Sequence, residues 1–356
     1  MKLLFLSVFT VVIFVFSILM NDFLLKYLKN IHKNGNNGEV RWSTDRKPAI
    51  GGIAFFICFL LSAISLIYTT QGTVFSLMQF YGIMLVLSIG FLAGLFDDAY
   101  NTIPWLKLMM QIVCGITLCF TGTYIDVFSN MTLNYGLTVF WIVGIMNALN
   151  LLDNMDSIAT TVTIFILLAC IAILLLFESS SNHYLVIILG IVASLLAFIK
   201  YNRWPAKMYM GDTGSMFLGS FIAIFGILFF WNFKAGTEQF APLSARILAV
   251  SFVFALPMID TSTVFFKRLV VKRKSPFRGG KDHTTHHLSY LGLSDKIIAV
   301  VFALLAFMNA LLGVLILILS NNWKLYHILI FGILLVIEFF ILFFITHKNI
   351  DKDETE

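Results

Sequence analysis

Residues 94–111 read GLFDDAYNTIPWLKLMMQ, in which two adjacent acids, Asp97 and Asp98, close an apolar run that begins near Val74. Carboxylates at the rim of a hydrocarbon segment are expensive unless a cation uses them, so they mark a functional site by default. Pro104 then opens a second apolar run, since proline suits the first turn of a helix, where its missing N–H costs nothing. Apolar helix, polar rim, apolar helix is the pattern of a membrane-spanning bundle.

The rest of the chain repeats it. Of 356 residues, 59% are hydrophobic and 12% charged, against roughly 25% charged in globular proteins, and the mean hydropathy is +0.92. At ~20 apolar residues per crossing, the length allows ten or eleven spans. Eleven runs are visible: Leu3–Met20, Ile50–Tyr68, Val74–Phe96, Trp105–Phe120, Gly136–Leu149, Ile158–Phe177, Tyr184–Ile199, Ser215–Trp231, Ile247–Phe266, Ile297–Leu319 and Leu325–Thr346. The expected fold is an all-α polytopic membrane protein of about 10–11 transmembrane helices. It forms one integral-membrane domain over 1–346, followed by a short charged tail over 347–356. The first run lacks a small-x-small cleavage site before Asn21 and reads as an uncleaved span. The four cysteines lie inside apolar runs without a C-x-x-C pair, as packing residues do.

Lys and Arg placement orients the bundle. Loops 21–49, 97–107, 150–157, 200–214 and 267–296, with the tail, carry 20 of the 24 basic residues; Lys2, Lys234, Arg246 and Lys324 lie on the other side. This puts the first set in the cytoplasm and the N-terminus outside. The same division gathers nearly every polar cluster on the cytoplasmic face. A channel or carrier would be expected to show ionisable groups at mid-membrane, where this sequence offers Glu338 as the exception.

Five polar stretches share that face. In RKPAIGG (46–52), Lys47 and a glycine pair suit a phosphate, although the stretch alone equally fits a charge-flanked helix start. Asp97 and Asp98 diverge by about 100° on a regular helix and converge only where it frays; Lys107 and Gln111 follow at i, i+4. In NALNLLDNMDS (147–157), Asn147, Asn150, Asp153 and Asp156 recur every three residues. They serve one site only if the helix loosens near 152–154. In PAKMYMGDTGS (205–215), after Asn202, Asp212 reads alone as an N-cap, but with free backbone N–H groups at a positive helix end it suits an anion with its metal ion. In SPFRGGKDHTTHHL (275–288), His283, His286 and His287 would share one helix face. Without Cys or Glu to complete a zinc set, they fit hydrogen bonding to phosphate better. Carboxylates suited to Mg²⁺ beside cations suited to phosphates imply phosphoryl transfer at a membrane surface.

These five motifs, in this order, resemble those of the polyprenyl-phosphate N-acetylhexosamine-1-phosphate transferases (glycosyltransferase family 4). That family includes initiators of O-antigen, enterobacterial common antigen and teichoic acid synthesis, and the related phospho-MurNAc-pentapeptide translocase. The resemblance runs from about Arg46 to Leu293. It implies transfer of a sugar 1-phosphate, most simply GlcNAc-1-phosphate, from a UDP-N-acetylhexosamine to undecaprenyl phosphate in a bacterial inner membrane. The products are undecaprenyl-diphosphate-sugar and UMP, and the cofactor is Mg²⁺ with Mn²⁺ as the alternative. By the resemblance Asp212 binds metal, Asp97 is the general base and Asp98 supports metal and phosphate; Asp153, Asp156 and His287 complete the catalytic set. Asn150 and Asn202 join Asp153 and Asp156 at the nucleotide, Tyr209 lies against uracil, and Lys47, Lys107, Arg278, His283 and His286 hold substrate phosphates. Partners are membrane lipids and, by family analogy, a second copy in a homodimer; no nucleic acid is expected.

Two departures stand out. Many family members carry D-G-x-D-G where this chain has Asp153-Asn154-Met155-Asp156-Ser157, and DHTTHH replaces three consecutive histidines, as in the sugar-transferase branch. The competing readings are the muramoyl-pentapeptide translocase itself and a non-catalytic membrane transporter.

Overall fold

Helices apolar all round are stable only where lipid or other helices cover them, and this chain folds into little else. The computed structural model describes residues 2–28, 47–69, 77–177, 184–234, 239–273 and 280–347. Its helices are α1 (Lys2–Tyr27), α2 (Gly51–Thr69), α3 (Leu77–Tyr100), α4 (Pro104–Phe120), α5 (Met131–Leu152), α6 (Ile158–Phe177), α7 (Tyr184–Asn202), α8 (Gly211–Gly226), α9 (Leu243–Val253), α10 (Ala255–Phe266), α11 (Thr284–Tyr290), α12 (Asp295–Leu319) and α13 (Leu325–His347). Single π-helical turns extend α8 through Trp231 and α10 through Val271. Extended structure among the described residues is one parallel bridge, Ala49 to Tyr209.

Eight of these helices are long and apolar enough to cross a membrane. The pair α9 and α10, bent by 77°, passes that test together, and α2 and α4 are shorter apolar helices. These eleven segments coincide with the eleven runs in the sequence, and the protein is an all-α polytopic membrane protein.

The bundle is built around α8. In its most apolar window 94% of residues are buried, against 17% for α1 and 11% for α13, which lie at the periphery. It packs on α2, α3 and α5. The contact with α3 depends on absent side chains: a Cβ at Gly94 would stand 2.1 Å from the Asp212 carbonyl oxygen. That glycine therefore serves a contact inside the bundle.

Polar groups sort to the two ends. One end carries 47–50, the ends of α3, α5 and α7, the start of α8, and α11, cross-linked by hydrogen bonds. At the other end buried Arg246 donates to the carbonyls of Ala241, Asp126 and Trp231. Asn232 accepts there from the Asp126 N–H and donates to the Tyr124 carbonyl. The four cysteines are free and buried.

The interior is more ionic than the sequence reading allowed. Glu338 does accept from Asn309 Nδ2 at 2.7 Å between α12 and α13, but Asp260 on α10 is a second acid within an apolar run, 2% exposed. Residues 247–266 read as one continuous span, which hid it. The helix breaks at Phe254, and the second half turns Asp260 toward the histidine segment.

Replacing Gly94 with Ala should lower stability by about 1–3 kcal/mol, the usual cost of overpacking, seen as a lower Tm in detergent. Gly136→Ala on α5, where an added Cβ meets nothing within 4 Å, should leave Tm unchanged or raised.

Candidate active site

The site begins with the end of α3. Asp98 reaches across to α8 and accepts from the Asp212 N–H at 3.0 Å, the Thr213 N–H at 2.8 Å and Thr213 Oγ1 at 2.6 Å. The first N–H groups of a helix have no partner within it, and a carboxylate also suits the positive end of the helix dipole. Asp98 thus caps α8 from another helix, and Asp212, which the sequence offered as the cap, is left to face the site. Gly211 makes this turn with φ +73°, and a Cβ there would stand 2.6 Å from Asp98 Oδ2. Both Asp98 oxygens accept from the start of α8, so the residue expected to support the metal also holds that helix end.

Asp97 points the other way. Its Oδ1 accepts from Thr102 N–H at 3.0 Å and Thr102 Oγ1 at 2.5 Å; its Oδ2 lies 2.5 Å from Lys107 Nζ. The same ammonium stands 2.5 Å from Asp212 Oδ2, while Asn150 donates to Asp212 Oδ1 at 2.9 Å and to Ser215 Oγ at 2.8 Å. Asp97 is nearly buried, whereas the Asp212 side chain is 28% exposed. Lys107 joins two carboxylates from sequence positions far apart, and all three groups meet at helix ends.

The four residues spaced by three do separate. Helix α5 ends at Leu152 and a turn follows over 153–157. Asn147 pairs with Gln111, Asn150 goes to Asp212, Asp153 is the C-cap, and Asp156 accepts from the Ala206 N–H at 2.7 Å. Burial raises the Asp156 carboxyl above its ordinary range, against the Ala206 N–H and Lys47, which lower it. Of the two positions where family members carry glycine, Ser157 takes the left-handed backbone, φ +64°, a strain costing about 1–3 kcal/mol. Asn154 instead uses its side chain, accepting from Thr285 Oγ1 at 2.7 Å.

Asn202 explains how that strain is held. It is 2% exposed; its Oδ1 accepts from Ser157 N–H and Thr160 Oγ1, and its Nδ2 donates to the Met208 carbonyl. It sits inside the protein, bracing the loop that carries Tyr209, and not at the surface where a nucleotide contact was expected. Tyr209 is set by the bridge to Ala49, with its N–H on the Pro48 carbonyl and Lys47 Nζ 5.4 Å from its ring.

The three histidines form a second cluster. His283 precedes α11 and its Nδ1 lies 2.8 Å from Asp260 Oδ2; Asp260 Oδ1 accepts from the Thr284 N–H at 2.8 Å. His287, fully buried, has Nε2 2.7 Å from Lys267 Nζ, which also donates to the Thr346 carbonyl on α13. His286 lies between them, 3% exposed, and burial pushes its pKa down to about 3, with His283 adding to the shift. Asp282, disfavoured as an anion by burial, is nonetheless held at about 2 by the bidentate Arg268 guanidinium. These rings are held by acids and bases of α10, an arrangement the free phosphate clamp of the sequence reading did not contain. Asp260, Lys267 and Arg268 were missed because they sit in or beside an apolar run; Pro257 beside Asp260 was the available signal. The clusters join through the end of α5 and the turn after it, since Asn150 belongs to the first and Asn154, four residues on, contacts the second. Arg278 and the tail after His347 lie outside the described residues.

A helical membrane bundle whose helix ends converge on carboxylates bridged by one ammonium defines a polytopic membrane protein with a polar site at one rim. The glycosyl transferase family 4 profile matches residues 80–230. A protein of Bacillus subtilis (strain 168), described as a probable undecaprenyl-phosphate N-acetylglucosaminyl 1-phosphate transferase, is 34% identical over 73% of this chain and 70% of its own. Phospho-N-acetylmuramoyl-pentapeptide-transferases are also similar. That of Streptococcus thermophilus (strain CNRZ 1066) is 30% identical over 70% of this chain and 76% of its own; that of Clostridium botulinum (strain Alaska E43 / Type E3) is 28% identical over 81% and 87%. The chain belongs to glycosyl transferase family 4, the polyprenyl-phosphate N-acetylhexosamine-1-phosphate transferases.

A histidine that charges more readily unfolded than folded stabilises the fold above its unfolded pKa, and that contribution is lost as pH falls. For His286 the window runs from about 6.5 down to about 3, with a slope of at most about 1.4 kcal/mol per pH unit. As pH falls from 7 to 5, the Tm of His286→Gln should therefore gain on that of the wild-type protein.

Proposed function

We propose that this protein transfers N-acetylhexosamine 1-phosphate, GlcNAc-1-phosphate in the first instance, from a UDP-sugar to undecaprenyl phosphate at the cytoplasmic face of a bacterial inner membrane. The observation that carries the reading is Lys107 Nζ at 2.5 Å from both Asp97 and Asp212. Two carboxylates share this one ammonium, and a divalent cation would balance the excess. Mg²⁺ takes one or two carboxylates and completes its shell with water and substrate phosphates. Asp212, partly exposed and oriented by Asn150, fits as a ligand, with Asp97 beside it; Mn²⁺ suits the same oxygens. The bound ion would neutralise charge across the diphosphate.

The remaining chemistry falls to the chain. An oxygen of the lipid phosphate attacks the sugar-bearing phosphorus of the nucleotide, and the bond from that phosphorus to the bridging oxygen breaks, releasing UMP. Two phosphate groups repel one another, so cations must hold them before attack. Lys107 and Lys47 supply fixed positive charge, and Asp97, buried and aimed by Thr102, serves as the base that keeps the attacking oxygen deprotonated. Tyr209 and Asp156, on two loops joined by the Asp156–Ala206 hydrogen bond, offer a ring and a carboxylate to the nucleoside. The similarity to the Bacillus subtilis protein favours a plain N-acetylhexosamine over a muramoyl-pentapeptide donor.

Purified protein with undecaprenyl phosphate and a panel of UDP-sugars should release UMP with UDP-N-acetylhexosamines, stop with EDTA and recover with Mg²⁺. Asp97→Asn and Asp212→Asn should each lower kcat by about 100-fold or more. Turnover with UDP-MurNAc-pentapeptide alone would select the translocase, and no UMP from any donor would overturn the proposal.

A further inference from the structure

The histidine cluster is organised by charges that the transferase reading leaves without a task. Asp260 is buried on α10, beyond the bend, and grips the start of α11 with both oxygens, one on His283 Nδ1 and one on the Thr284 N–H, each at 2.8 Å. A carboxylate only accepts hydrogen bonds. His283 must therefore carry its proton on Nδ1, which makes Nε2 the single atom of the ring able to take or give a proton.

Lys267, seven residues on, imposes the reverse on His287. An ammonium only donates, so His287 Nε2, 2.7 Å away, is the acceptor and its proton lies on Nδ1, remote from the lysine. His287 is thereby anchored to the end of α13 through Lys267 and the Thr346 carbonyl. His286 is flanked by both, its Nδ1 3.4 Å from the His283 N–H. Thr285, between them, ties the helix to Asn154, one turn of chain past Asn150 of the acid site. Asp260 Oδ2 is in direct contact with the His283 ring.

We propose that Asp260 is a positioning residue for the transferase reaction: by holding His283 in one tautomer and capping α11, it presents Nε2 of His283 as the ring atom that works on a phosphate oxygen. With Nδ1–H held by the carboxylate, Nε2 is the ring atom left to exchange a proton with a phosphate oxygen. His287, backed by a cation, supports the helix without sharing that work. This inference rests on the transferase reading.

The test has two readouts. In the intact protein in nanodiscs, ¹⁵N spectra of labelled histidine, with His283→Gln identifying the resonance, should show His283 protonated at Nδ1. In Asp260→Asn that signature should be lost. In the UMP-release assay Asp260→Asn should lower kcat at least tenfold while KM for the UDP-sugar stays within threefold. In a His283→Gln background the same change should have no further effect, because Asp260 acts through that ring. A His283 ring protonated at Nε2 with Nδ1 bare in the wild-type protein, or a further loss in the double variant, overturns the proposal. If the wild-type protein turns over no UDP-sugar, the transferase reading falls and the spectrum alone decides the Asp260–His283 pair. If Asp260→Asn does not fold, the wild-type spectrum and His283→Gln kinetics still decide: unchanged kcat in His283→Gln overturns it.

Discussion

Negative charge at a low-dielectric rim is tolerable only with a cation in contact, and in this protein one ammonium meets that need for two helices at once. Lys107, a turn into α4, stands between Asp97 on α3 and Asp212 on α8. Burying a charge without a partner costs several kcal/mol, so these three helix ends are held in one geometry by electrostatics as much as by packing.

The backbone meets this demand halfway. Asp98 satisfies the first N–H groups of α8, and Gly94 lets α3 come within van der Waals reach of the same turn. Neighbouring acids on one helix therefore do opposite things: one seals a helix end, the other faces the reactive space. Asn202 and Ser157 show a similar division. A strained backbone persists there because a buried amide accepts its N–H, and what it achieves is a sharp exit from α5 that separates Asn150, Asp153 and Asp156.

Most of the architecture could be read from the chain. Eleven apolar runs became eleven apolar helical segments because lipid imposes one requirement, continuous apolar length, that sequence displays directly. The gathering of five polar stretches at one end followed from the placement of Lys and Arg. What escaped was direction. Asp98, read as a metal and phosphate residue, also caps α8, because capping can come from another helix, which spacing does not encode. Asn202 turned inward for the same reason. Asp260 was missed because 247–266 read as one unbroken span; the helix bends by 77°, and without the bend its carboxylate looks like a stray charge in a span. The histidines were found, but their polarity, one backed by an anion and another by a cation, needed the fold.

The distance in sequence between the paired charges bears on how the molecule is made. Asp98 and the helix it caps are 114 residues apart, and Asp260 waits a further 23 for His283. During synthesis the carboxylates of α3 enter the membrane with only Lys107 and Thr102 for company, and three more apolar helices must follow before α8 arrives to share them. Insertion therefore passes through species whose acids are only partly compensated. Ribosome-bound chains ending before α8 are the forms on which membrane chaperones and proteases would act.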